Sequence, residues 1–188
     1  KTHYLELLKW IKYKEGGILY PERKVCSRYF DNQNMQMYYD TIEGIVPRKK
    51  IRIRTYNSEN FTDINNDYAL EIKITTEHNK MKKTNTKINL ITLLKEGYYD
   101  NVYGFCNPIV DISYKREYFL VNGIRLTIDK EIKYRLLNIN KNLRRVLFED
   151  KSYVFEIKAD IKTNLSFLLN NFYFPRTRFS KYERALNS

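Results

Sequence analysis

"KKIRIRTY", residues 49–56, is the stretch that decides the fold. Read as a β-strand, its side chains alternate between two faces. Ile51 and Ile53 then share one face, and Lys50, Arg52 and Arg54 line the other. Like charges about 6.6 Å apart along a strand repel one another, so the stripe faces either water or an anion. The same alternation recurs along the chain. In "LEIKI", Leu70, Ile72 and Ile74 oppose Glu71 and Lys73. In "IRLTIDKEI", Ile124, Leu126, Ile128 and Ile132 oppose Arg125, Thr127, Asp129 and Glu131. In "FEIKA", Phe155, Ile157 and Ala159 oppose Glu156 and Lys158.

The surroundings of these strands give the rest of the organisation. Leu5, Leu8 and Ile11 have helical spacing within 3–15, and Gly16-Gly17 ends that helix. Residues 22–31 alternate as a strand, 34–44 form a short helix closed by Gly44, and 57–67 connect two strands. "TKINLITLLKEG" (86–97) reads as an amphipathic helix ending at Gly97, and 98–108 as irregular chain. The strands "DISYKREYFLV" and "IRLTIDKEIKY" are joined by Asn122-Gly123, a strong hairpin signal. A strand at 152–160, a helix at 162–172 and the tail "FPRTRFSKYERAL" complete the chain. Antiparallel strands with a few covering helices, without repeat or linker, make residues 1–188 one α+β domain.

Composition narrows the function. The 188 residues are 43% hydrophobic and 30% charged, as in globular domains. The net charge of +12 points to an anionic partner: nucleic acid, membrane surface, nucleotide or polyphosphate. Cys26 and Cys106 are too few for a disulfide framework and read as inert buried thiols in a reduced compartment. His3 and His78 lack ligand-spaced neighbours, which argues against zinc chemistry and a Ser-His-Asp arrangement. No apolar run approaches membrane-spanning length. The opening "KTHYLELLKW" is not a signal peptide and lacks an initiator Met, as in an excised domain. Trp10 and most of the tyrosines read as packing groups; Lys12, Lys14, Lys141, Arg144 and Arg145 read as solvated surface.

On a single strand, a charged face opposite an apolar one is ordinarily solvated. Here arginine is concentrated on such faces (Arg52, Arg54, Arg116, Arg125), and its planar fork suits phosphate oxygens. Charged faces converging inside a closed barrel, with helices over the apolar outside, would make a cationic tunnel. Enclosed like charges are costly unless an anion fills the space. The expected filler is a chain of phosphates. Each Glu-x-Lys pair could offer a cation to a phosphate oxygen and a carboxylate to a divalent ion.

The order "SRYFD", "RKKIRIRTY", "LEIK", "YKREYF", "GIRLTIDKEI", "FEIK" and "RFSKY" resembles the VTC domain, the polyphosphate polymerase domain of the vacuolar transporter chaperone family, within the triphosphate tunnel metalloenzymes. The resemblance is collinear over about residues 22–186. It implies an antiparallel β-barrel that forms a cationic tunnel, has helices outside, and binds nucleotide triphosphate and polyphosphate with Mn²⁺ or Mg²⁺. By position it assigns phosphate contacts to Arg52, Arg54, Lys73, Arg116, Arg125, Lys158, Arg178, Ser180 and Lys181, with Arg28 and Lys83 less closely matched. Catalysis would rest on Arg52, Arg54, Lys73, Arg125, Lys158 and Lys181, and metal binding on Glu156. The family opens with a further strand before the first helix, which the resemblance places outside these residues.

The implied function is an ATP-dependent phosphotransferase that extends polyphosphate, cytoplasmic or on the cytoplasmic face of a membrane, with a membrane-protein partner compatible with it. No specific nucleic acid is expected, because the cations alternate with aliphatics rather than with exposed aromatics. Two other readings stay open: hydrolysis of triphosphate or polyphosphate, with a carboxylate such as Glu71 preparing water, and non-catalytic binding of polyphosphate or nucleic acid. Glu71 equally fits an ion pair with Lys73 or a neighbouring arginine, while Asp129 and Glu131 are candidates for orienting arginines.

Overall fold

The computed structural model describes residues 2–58, 61, 67–137, 147–160, 163–166, 170 and 172–187. Residues 163–165 of the expected helix at 162–172 are not helical, and 162, 167–169 and 171 of it, most of the 57–67 connection, and Lys141, Arg144 and Arg145 lie outside the described residues. Among the described residues, α1 (Thr2–Tyr13) is followed by β1 (Gly17–Asn32), α2 (Gln36–Glu43), β2 (Arg48–Tyr56), β3 (Tyr68–Thr75) and β4 (Lys80–Asn85). Next come α3 (Leu90–Glu96), β5 (Tyr98–Asp100), β6 (Gly104–Val121), β7 (Ile124–Leu136), β8 (Leu147–Asp150) and β9 (Val154–Lys158). The tail ends in α4 (Lys181–Leu186).

The strands form one antiparallel sheet in the order β4-β3-β2-β1-β6-β7-β8, with β5 added on β6 and β9 on β7. This is an α+β fold. Among the described residues the expected closed barrel is not present: β4 at one end forms no ladder with β8 or β9 at the other, so the sheet is open. The face it presents is nonetheless concave. Arg54 on β2 and Lys158 on β9 are four strand spacings apart in this order, about 19 Å on a flat sheet. Yet the charge of Arg54 helps to depress the Lys158 pKa. Adjacent tail residues also span this face, since Ser180 bonds Lys50 of β2 and Lys181 bonds Asp129 of β7, as on a curled sheet.

Helices cover the convex face as alternation demands. Ile51, Ile53 and Leu70 are buried with Cys26, Phe30, Met37 of α2 and Cys106, and Leu90, Leu93 and Leu94 of α3 pack against them. Leu7, Trp10 and Ile11 of α1 cover Phe119, Val121, Ile124, Leu126 and Ile128. Fully burying each such aliphatic side chain contributes about 1.5–3 kcal/mol. Both cysteines are free and buried, and burial pushes their thiols up to about 12. Among the described residues no helix is long and apolar enough to cross a membrane.

One helix lies on the other side. Tyr182 and Ala185 of α4 pack on Val25, Tyr29, Ile112, Tyr114, Ile132 and Tyr134, on the face that carries the arginines. Ile132 departs from the expected alternation here. Glu131 takes a left-handed φ of 52°, and the β6–β7 register shifts between Ser113 and Lys115. The extra residue turns Ile132 inward to α4. It also sends Glu131 outward, where it pairs with Lys115 at 2.9 Å. Glu131 therefore orients no arginine of the concave face, a correction the unbroken two-residue pattern could not supply.

Candidate phosphate-binding face

Register fixes which side chains share the concave face. Arg52 stands opposite Tyr29 of β1 and Glu71 of β3; Arg54 stands opposite Ser27 and Ala69; Lys50 stands opposite Lys73. On the far side of β1, Arg116 faces Asp129, Arg125 faces Lys158, and Thr127 faces Glu156. Sequence alternation thus brings Arg52, Arg54, Lys73, Arg116, Arg125, Glu156 and Lys158 onto one surface, and α4 adds Lys181.

Two buried carboxylates organise the inner cations. Glu71, only 5% exposed, accepts from Arg52 Nη2 at 2.6 Å and Lys82 Nζ at 2.9 Å, with Arg54 Nη1 at 3.6 Å. Burial alone would raise its pKa, but Arg52 and Arg54 hold it at about 2. Asp129, 1% exposed, accepts a two-pronged bond from Arg116 at 2.5 and 2.7 Å and a third from Lys181 at 2.5 Å. Its pKa is lowered for the same reason, against burial. Tyrosines bridge the two groups. Tyr29 accepts from Arg52 Nη1 at 2.7 Å and stacks on Tyr182. Tyr114 accepts from Arg54 Nη2 at 3.2 Å, and Lys181 Nζ lies 4.7 Å from its ring centre. Burial raises the Tyr29 phenol, but Arg52 and Arg54 outweigh it and bring it down to about 8.

The outer cations are less committed. Lys73 and Arg125 form no ion pair among the described residues. Lys158 sits 3.8 Å from Glu156, both of them substantially exposed. Burial lowers the Lys158 pKa, and Arg125, Arg116 and Arg54 add to that. At the β2 end a cleft of about 170 Å³ opens between Lys50, Lys73, Thr75, Lys80, Arg178 and Ser180. Arg178 donates to the Thr41 carbonyl there. Lys50 Nζ donates to Ser180 Oγ at 2.8 Å.

Two expected ligands are placed elsewhere. Arg28 has the parity of Ile53, so it lies on the convex side, held by Asp111 at 2.6 and 2.7 Å and stacked over Phe61. Lys83 stands opposite Ile72 on that side, and its neighbour Lys82 is the one that reaches Glu71. Tyr29, Tyr114 and Lys82 complete the face without having been assigned to it, and Lys50, expected on this stripe, was not named as a ligand. Lys50 has the parity of Arg52 and was legible; Lys82 follows from the β3–β4 ladder, which nothing in "KMKKTN" announces.

A divalent cation was tied to Glu156. Among the described residues no group of three or more His, Cys, Asp or Glu could hold a metal. Glu71 and Asp129 are fully engaged with cations, whereas Glu156, 3.8 Å from Lys158, is substantially exposed. One carboxylate fits Mg²⁺ or Mn²⁺ when substrate phosphates complete the shell.

Clasped arginines and spare lysines on one side of an antiparallel sheet define the class: a basic-faced α+β domain. The VTC domain family model matches residues 2–188, nearly the whole chain, and the chain belongs to that family. This places it among domains of polyphosphate-related function. Among curated proteins no relative matches it.

Proposed function

We propose that this domain is a polyphosphate polymerase that transfers the γ-phosphate of ATP to a growing polyphosphate chain. The observation that carries the reading is the convergence of Lys50, Arg52, Arg54, Arg116 and Lys181 on one concave face organised by two buried carboxylates. Charge-assisted bonds from such preset donors stabilise developing phosphoryl charge without reorganisation at the moment of reaction. Arg52, Arg54 and Lys73 would hold the triphosphate from one wall, Arg116, Arg125 and Lys158 from the other, and Lys181 and Ser180 from α4. A terminal phosphate oxygen of the acceptor attacks the γ-phosphorus in line, the bond to the β-phosphate oxygen breaks, and ADP leaves.

Glu156 would hold Mg²⁺ or Mn²⁺, which when bound supplies charge neutralisation to the phosphates. Hydrolysis with Glu71 as its base is the weaker reading, because Glu71 is committed to Arg52, Arg54 and Lys82 with its pKa at about 2. A phosphate acceptor is already ionised and needs none. Partners follow from the same chemistry: ATP or another triphosphate, and polyphosphate. The test is incubation with ATP and Mn²⁺ followed by separation of products. ADP matched by chain phosphate supports the reading; ADP matched by free orthophosphate overturns it in favour of hydrolysis.

A further inference from the structure

Lys50 is bonded to a hydroxyl, not to a carboxylate. Its Nζ lies 2.8 Å from Ser180 Oγ at the edge of the Lys73–Lys80–Arg178 cleft. The groups facing it are Arg48, Lys73, Tyr29 and Glu183. Burial, with the Lys73 and Arg48 charges added to it, lowers its pKa to about 8, so about a tenth of it is neutral at pH 7. Ser180 is held in place: its Oγ also accepts from the Glu183 amide at 3.3 Å, capping α4. A serine hydroxyl next to a lysine that can take its proton is a nucleophile–base pair. Here the pair borders a cleft whose cations suit the phosphates of a donor, which is the third part such a site requires.

We propose that Ser180 is itself a phosphoryl acceptor, with Lys50 as its base, so that the domain phosphorylates its own serine from a bound nucleoside triphosphate. The proposal rests on the reading of this face as a triphosphate site. Neutral Lys50 accepts the hydroxyl proton as Oγ forms a bond to the γ-phosphorus. The bond from that phosphorus to the β-phosphate oxygen breaks, and the nucleoside diphosphate leaves with that electron pair. The product is phosphoserine next to lysinium, an ion pair that Lys73 and Arg178 reinforce. Its phosphate oxygens are ionised, so they can accept a further phosphoryl group and start a chain on the protein.

The test uses the full chain with γ-labelled ATP and Mn²⁺, quenched in acid within the first turnover and again at steady state. Phosphoserine esters survive acid, so intact mass and peptide mapping should find one added phosphoryl group at Ser180. The label should vanish in Ser180→Ala and reappear as phosphothreonine in Ser180→Thr, which keeps both the hydroxyl and the cap. Lys50→Arg keeps the cation but is not a base at neutral pH, so labelling should fall at least tenfold even at saturating ATP. Free polyphosphate formed by a protein that stays unlabelled, or is labelled elsewhere, overturns the proposal and leaves the polymerase reading intact. Neither label nor ATP turnover overturns both.

Discussion

Replacing Glu71 by Gln keeps the shape of the side chain but removes the charge that Arg52, Arg54 and Lys82 share. The Glu71 pKa falls from 4.5 to about 2 on folding. At about 1.4 kcal/mol per unit, that shift corresponds to about 3 kcal/mol of stability. Removing one partner of a buried ion pair typically costs about 3–5 kcal/mol, the same range. Because the folded pKa lies below the unfolded one, the contribution is complete above about pH 4.5 and disappears as pH falls toward 2. In a chain of this size each kcal/mol moves the melting temperature by about 2–4 °C. Glu71→Gln should therefore melt about 6–12 °C lower at neutral pH, with the gap to wild type closing in acid. Tripolyphosphate affinity should move the other way, holding or rising, since a negative charge has left the face. Calorimetric melts between pH 2 and 7 and a tripolyphosphate titration check both. An unchanged melting temperature at pH 7, or weaker tripolyphosphate binding by a folded variant, would refute the reasoning.

Asp129→Asn leaves Arg116 and Lys181 buried together without their shared carboxylate, so the free protein should lose about 3–5 kcal/mol. Tripolyphosphate should recover more of that loss than it adds to wild type, as melts with and without it will register. Metal-free triphosphate binding should hold or tighten in Glu156→Gln while the enhancement by Mn²⁺ disappears; equal enhancement in both proteins by calorimetry ends the metal assignment. Tripolyphosphate affinity should fall as pH rises through about 8, because Lys50 then loses its proton and Tyr29 gains a negative charge. The double variant Lys50→Arg, Tyr29→Phe should flatten that profile in a titration series from pH 6.5 to 9.

The two-residue alternation made much of this face readable. It put Ile51 and Ile53 on one side and Arg52 and Arg54 on the other, and Asn122-Gly123 marked the β6–β7 hairpin where both residues take left-handed φ values. Helix ends were legible where glycine closes them, as at Gly44 and Gly97. Four features were not. Alternation counts residues, so it carried Glu131 and Ile132 onto the wrong faces once the bulge inserted one. It also says nothing about whether edges meet, so closure into a barrel did not follow from four amphipathic strands. Arg28 misled because a cation reads the same whether its partner is a phosphate or, as here, Asp111 across the β1–β6 ladder. α4 is six residues long, too short for a helical period to register, yet it brings Ser180 and Lys181 to the site.

The central claim, that this concave face is the phosphate site, is tested most directly by metal-free tripolyphosphate titration of wild type and of Arg52→Ala plus Arg54→Ala. Charged hydrogen bonds contribute about 1.5–3 kcal/mol each, so the pair should weaken binding by about two to four orders of magnitude. The loss should persist when Glu71→Gln is added, which excludes an effect of orphaning that carboxylate. Tripolyphosphate affinity unchanged in a folded double variant would contradict the account.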